Sequence, residues 1–174
     1  SRTNIQSVNL RTAFLVGQEV GNPETLQAIL MQESNGGLAG NVGNLSSPIG
    51  KRSYGVMQVQ LSAARSVLTR TPQLMNTYFP TREYKSLADE EIIALLITNA
   101  EANIRIAAHH LKIYMAISKG DWNKAVAAYN VGIGGVERIP EPAEYHYVIN
   151  IKQIINNMVK PFNHKHQLRL STSM

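Results

Sequence analysis

The segment "ETLQAILMQESNGG", residues 24–37, carries a carboxylate where carboxylates are rare. Leu26, Ile29, Leu30 and Glu33 fall at i, i+3, i+4 and i+7, so on a helix Glu33 continues the apolar stripe rather than the solvated face. Burial penalises the charged form of a carboxyl and raises its pKa. An acid held there can keep a proton near neutral pH and hand it to a bound molecule. The competing reading of this segment alone is a helix-end carboxylate curled back into solvent. Two other stretches bear on the choice. In "SSPIGKRSYGVMQVQ" and "AVAAYNVGIGGV" glycines and small residues sit beside amides and tyrosines, a composition that lets an extended ligand such as a chain of sugars approach the backbone.

Other chemistries find less support. His109 and His110 are adjacent, so on a helix they diverge by about 100° and cannot share a ligand face, and His164 and His166 lie near the C-terminus. There is no HExxH and no cysteine, so neither thiolate metal sites nor disulfides can form. No metal and no cofactor are expected. Aspartate occurs only at 89 and 121, each readable as a helix-start residue, and "SPIG", "GVMQ" and "AAYNVG" contain no acid.

The elements that must position these residues are helices, because no period-two pattern bounded by hairpin turns stands out. The expected order begins with a helix over about Val8 to Val20. A second is capped by Asn22, with Pro23 at its first position and Glu24 in its first turn, and stops at Gly36 and Gly37. The stretch from Asn35 to about Gly55 is a loop of functional length. "VQLSAARSVLTR" is helical, and Pro72 and Pro80 punctuate the chain beyond it. Ser86 with Asp89 reads as a capping box opening a helical region to Gly120, divisible near Thr98 to Ala100. Asp121 caps "WNKAVAAY", Gly132, Gly134 and Gly135 make a loop, and a last helix is halted before Pro161. The fold class is therefore all-α: one domain over 1–161 and a frayed basic tail over 162–174.

Composition fits this. The 174 residues are 44% hydrophobic and 17% charged, enough for one ordinary core without staples. The formal charge of +5 favours a polyanionic partner: nucleic acid, anionic cell wall or a membrane surface. No recognition motif or basic-aromatic stripe supports nucleic acid, and no apolar run approaches a membrane span. The N-terminal stretch lacks an apolar core of signal-peptide length, so an exported protein is expected here as a mature form or excised domain.

The ordered motifs resemble the soluble lytic transglycosylase family of peptidoglycan-cleaving enzymes, whose fold is goose-type-lysozyme-like. "QES" at 32–34 resembles its Glu-Ser motif, and "SPIG" and "GVMQ" its Ser-Pro-x-Gly and Gly-Leu-Met-Gln segments. "NIRIAAHHL" resembles its Asn-Ile helix, "AAYNVGIGGV" its Tyr-Asn motif, and "IPEPAEYHYV" its stretch ending in Tyr-Val. The resemblance covers roughly residues 20 to 155. It implies a lysozyme-like domain with a substrate groove and Glu33 as the single catalytic acid. It further implies Ser34, Ser47, Gln58, Tyr129 and Asn130 as substrate-binding residues, and Tyr147 as hydrogen-bonding the catalytic carboxylate. Peptidoglycan glycan strands are the implied partner, with a larger secretion or phage assembly beside them, and the periplasm or cell wall is the implied location; the alternative readings are a hydrolytic muramidase on the same fold and a non-catalytic wall-binding module of a secretion or phage assembly. Met57 reads as core and Tyr145 as a surface neighbour of Tyr147. The sequence departs from the family at "KRSY" before Gly55, at Gln60 where methionine is common, and at Ala143 and Glu144 where Glu-Thr is common.

Overall fold

Seven consecutive residues, Thr25 to Met31, are buried, so the helix that carries them cannot lie on the surface. The computed structural model, which describes residues 2–39 and 41–171, builds the domain around it. The helix, α2 (Pro23–Ser34), packs against α1 (Arg2–Val20) on one side and α8 (His146–Ile154) on another. Between them in the chain come α3 (Leu61–Arg70), α4 (Pro72–Tyr78), α5 (Asp89–Thr98), α6 (Ala100–Ile117) and α7 (Trp122–Val136). The long α6 packs on α1, α3 and α7 and brings Ile104, Ile106 and Leu111 into one core with Leu26, Ile29 and Leu30. The all-α, lysozyme-like expectation holds. The exception among the described residues is a hairpin of two two-residue strands, β1 (Ser53–Tyr54) and β2 (Val59–Gln60), in register Ser53 to Gln60 and Tyr54 to Val59. Strands that short leave no alternation to detect.

Several local expectations need correction. The first helix starts at Arg2, a full turn and more before Val8. Asn22 gives no side-chain cap to α2, because its own backbone is left-handed (φ 58°), although Pro23 does open the helix. The end of α2 comes at Ser34, and Asn35 takes the left-handed position expected of a glycine. Ser86 lies in a 3₁₀ turn with its hydroxyl bonded to the Glu83 carbonyl, and α5 is instead closed by the Glu91 carboxylate accepting from the Ala88 N–H at 2.8 Å. The division near Thr98 is real: Asn99 breaks the chain and its side chain accepts from the Ala102 N–H. Asp121 caps α7 as expected, accepting from the Lys124 N–H at 3.1 Å. The glycine loop after it is a single kink at Gly132 (φ 80°, ψ 162°), beyond which the helix resumes.

The largest difference is at the C-terminus. After α8 a π turn, Ile155–Val159, widens the helix, so Pro161 falls in the first turn of α9 (Lys160–Lys165) instead of ending the helix. Residues expected to fray are thereby held. Asn163 is buried, donating to Gln27 Oε1 at 2.9 Å and accepting from Gln27 Nε2 at 2.6 Å. Buried amides cost stability unless paired, and this reciprocal pair satisfies both while locking α9 to the central helix. The Arg169 carbonyl accepts from Gln18. Residues 172–174 of the expected tail lie outside the described residues.

Candidate active site

Helix α2 delivers Glu33 to the wall of a cavity of about 480 Å³. The carboxyl is half-buried, and desolvation raises its pKa above the ordinary glutamate value. The opposing influence is the Tyr147 hydroxyl, which donates to Glu33 Oε2 at 2.6 Å and favours the ionised form. Desolvation is the larger effect. Tyr147 is 3% exposed and stands behind the carboxyl rather than lining the cavity, so it fixes the orientation of Glu33 from the core side. Leu26, Ile29 and Leu30 are fully buried below the acid, so Glu33 does continue their apolar stripe.

The hairpin turn Gly55 to Gln58 brings Gln58 into the cavity lining, and two side chains clamp the turn. Asn103 of α6, fully buried, accepts from the Met57 N–H at 2.8 Å and donates to the carbonyls of Tyr54 and Leu96 at 2.8 and 3.0 Å. Tyr129 of α7 donates its hydroxyl to the Met57 carbonyl at 2.7 Å. Both backbone groups of Met57 are therefore held by side chains from different helices, and Met57 itself is core, as expected. Gly55 allows this clamp: its φ is +77°, and a Cβ there would lie 2.1 Å from Asn103 Nδ2 and 2.2 Å from the Leu96 carbonyl.

Gln58, Tyr129 and Asn130 line the cavity with Glu33. Gln58 has a left-handed backbone (φ 52°) and donates through Nε2 to the Gly55 carbonyl at 2.9 Å. Asn130 accepts through Oδ1 from the Tyr145 hydroxyl at 2.5 Å. Tyr145 is therefore no bland neighbour of Tyr147, because it braces a groove residue. Two expected residues are not brought in. Ser34 is 2% exposed, and its hydroxyl accepts from the Gly37 N–H at 2.8 Å and bonds the Leu30 carbonyl, closing the end of α2. Ser47 lies outside the cavity lining, its carbonyl held by Arg52 Nε at 2.9 Å.

Sequence reasoning missed much of the wall. Ser62, Ser66 and Arg70 of α3 recur every four residues on the polar side of a helix whose Leu61, Ala64, Val67 and Leu68 are buried. Small hydroxyls in place of long charged side chains were the available signal. His110, Tyr114 and Ile117 form the matching stripe on α6. The two aspartates stay away: Asp89 pairs with Arg65 and Asp121 caps α7. Among the described residues Glu33 is the sole carboxylate lining the cavity, no group of three or more His, Cys, Asp or Glu is placed to hold a metal, and no helix is long and apolar enough to cross a membrane.

The chain is thus a helical domain whose groove carries a single half-buried carboxylate among the described residues. The family model described as the transglycosylase SLT domain matches residues 17–144, well over half of the chain, and the chain belongs to that family. No match is found among curated proteins or among solved structures. Membership implies peptidoglycan as substrate and transglycosylase-type lyase activity. Tyr147, the partner of Glu33, lies just beyond the matched segment.

Proposed function

We propose that the protein is a lytic transglycosylase that cleaves the β-1,4 bond between N-acetylmuramic acid and N-acetylglucosamine, with Glu33 as both acid and base. The observation that carries the reading is the isolation of Glu33. Most glycosidases that use water or an enzymatic nucleophile pair the acid with a second carboxylate across the bond, roughly 5 to 9.5 Å away, and the groove offers none among the described residues. In the proposed reaction protonated Glu33 gives its proton to the glycosidic oxygen as the C1–O bond breaks. The N-acetyl carbonyl of the muramic acid shields the positive charge at C1. Ionised Glu33 then takes the proton of the C6 hydroxyl, whose oxygen bonds to C1. The products are a free 4-hydroxyl and a 1,6-anhydromuramoyl end, and Glu33 returns to its protonated form without consuming water.

The raised pKa of Glu33 supports the first step, and the Tyr147 bond supports the second by stabilising the anion formed between them. Gln58 and Asn130 are the proposed polar contacts to the glycan, while Tyr129 offers its ring and holds the hairpin turn with its hydroxyl. Exported action at the cell wall, alone or within a secretion or phage assembly, is the setting such a substrate implies. Digestion of purified sacculi by the wild type and by Glu33→Gln tests the assignment: soluble muropeptides are expected from the first and not from the second.

A further inference from the structure

The cavity that holds Glu33 holds one other side chain among the described residues able to titrate between roughly pH 3 and 9, and it is His110. Helix α6 carries it on the stripe with Tyr114 and Ile117. Its ring stands 4.2 Å from that of Tyr114 and 5.9 Å from that of Tyr129, both tilted, so two phenols fix it in place. Tyr129 is itself anchored to the Met57 carbonyl. The ring nitrogens of His110 have no hydrogen-bond partner among the described residues, and neither is among the side-chain atoms sealed from solvent. A half-buried neutral imidazole lining a ligand groove carries one N–H donor and one acceptor, a match for a sugar hydroxyl or an N-acetyl amide.

We propose that neutral His110 is a glycan-positioning residue of this groove, and that its protonation sets the acid edge of glycan binding and of turnover. The inference rests on the reading of the cavity as a glycan groove. It answers a difficulty in one-carboxylate catalysis: Glu33 must start protonated, so its own titration removes activity only on the alkaline side. An acid edge then needs another group. Around His110 the cavity supplies Glu33 from α2, Arg70 from α3, Tyr114 from α6 and Tyr129 from α7, and no other carboxylate among the described residues. Desolvation lowers the His110 pKa to about 4, whereas Glu33 is shifted upward, so Glu33 has already lost its charge when His110 gains one. The imidazolium would then sit in the groove without a counter-charge and without an acceptor nitrogen, and a bound sugar would strip its remaining water.

The test is binding of an N-acetylglucosamine tetramer to the Glu33→Gln protein, in which the acid no longer titrates. If the glycan binds only the neutral imidazole, the apparent Kd should rise about twofold at pH 4 and about fourfold at pH 3.5 relative to pH 6. Glu33→Gln/His110→Gln, which retains a donor and an acceptor, should bind at pH 6 within a few-fold and lose the pH dependence. Glu33→Gln/His110→Phe should bind more weakly at pH 6, again without pH dependence. Melting curves at each pH confirm that the proteins remain folded. In the otherwise wild-type protein His110→Gln should remove the acid edge of kcat/KM. Binding that is independent of pH in Glu33→Gln, or equally dependent in all three proteins, overturns the role of His110 alone. Absence of binding at every pH overturns the glycan groove and this inference with it.

Discussion

Replacing Tyr147 by phenylalanine removes one oxygen from the site and leaves the ring in its pocket, where the residue is 3% exposed. That oxygen donates to the Glu33 carboxyl at 2.6 Å. A bond to a charged acceptor contributes about 1.5 to 3 kcal/mol. If it persists to the transition state between the two proton transfers, its loss lowers kcat roughly ten- to hundredfold. The pH profile gives a sharper test. The bond favours ionised Glu33 against the desolvation that raises its pKa, so in Tyr147→Phe the pKa should rise further. Because the resting enzyme must be protonated, the alkaline limb of kcat/KM should move to higher pH even as the rate falls. Release of soluble muropeptides from sacculi, followed across the neutral and alkaline range, reads both quantities. Tyr78→Phe is the control, since that hydroxyl lies outside the groove with no hydrogen-bond partner among the described residues, and its loss should leave activity unchanged and stability equal or slightly higher. An alkaline limb that stays in place or moves to lower pH in Tyr147→Phe would rule out this role for the hydroxyl.

Glu33→Gln should melt at a higher temperature than the wild type at neutral pH. The raised folded-state pKa of Glu33 gives stability that is present below the unfolded value of 4.5 and lost as pH rises through the folded one, so the advantage of the amide should vanish in acid. His110 has the opposite sign. Its folded pKa of about 4 lies below the ordinary 6.5, so wild-type stability should decline as pH falls through that window, by up to about 3 kcal/mol, and urea titrations of His110→Gln should show a correspondingly shallower decline. Gly55→Ala should cost about 2 kcal/mol or more in a urea titration and lower activity with it, because a Cβ at φ +77° collides with the Leu96 carbonyl and with Asn103, which clamps the hairpin turn. Raising salt above physiological strength should weaken sacculus binding more than it lowers the melting temperature, since exposed charges of this +5 chain are screened over about 8 to 10 Å; salt-independent binding would contradict an electrostatic contribution.

The position of Glu33 is legible in the sequence because a buried helix writes its period there, and Leu26, Ile29 and Leu30 fix the face on which the acid must lie. Ser34 misleads for the same geometric reason: one step round the helix from a groove residue points into the core, where its hydroxyl closes the helix end. Tyr145 misleads because α8 begins at His146, not upstream of it. Its backbone is extended (φ −66°, ψ 134°), so the helical rule that would turn it about 200° from Tyr147 does not apply. The loop holding Ser47 has no periodicity, and its course depends on contacts such as Arg52 to the Ser47 and Leu45 carbonyls that no local pattern announces. His110 is hidden by its neighbour. A His-His pair tells nothing about which ring meets Tyr129 until α6 and α7 are packed together. Pro161 marks a helix end by propensity, and a π turn combined with the Gln27–Asn163 pair overrides it.

In the proposed reaction one carboxylate performs both proton transfers and the substrate's own C6 hydroxyl is the nucleophile. Mass spectrometry of the muropeptides released from purified sacculi distinguishes this from every hydrolytic route. Ends that are one water lighter than the hydrolysed form, and that resist borohydride reduction as 1,6-anhydro sugars do, are the expected result. Products carrying the full water mass and a reducible end would contradict it, and would require water to be activated in a groove whose lining, among the described residues, offers Glu33 as its sole carboxylate.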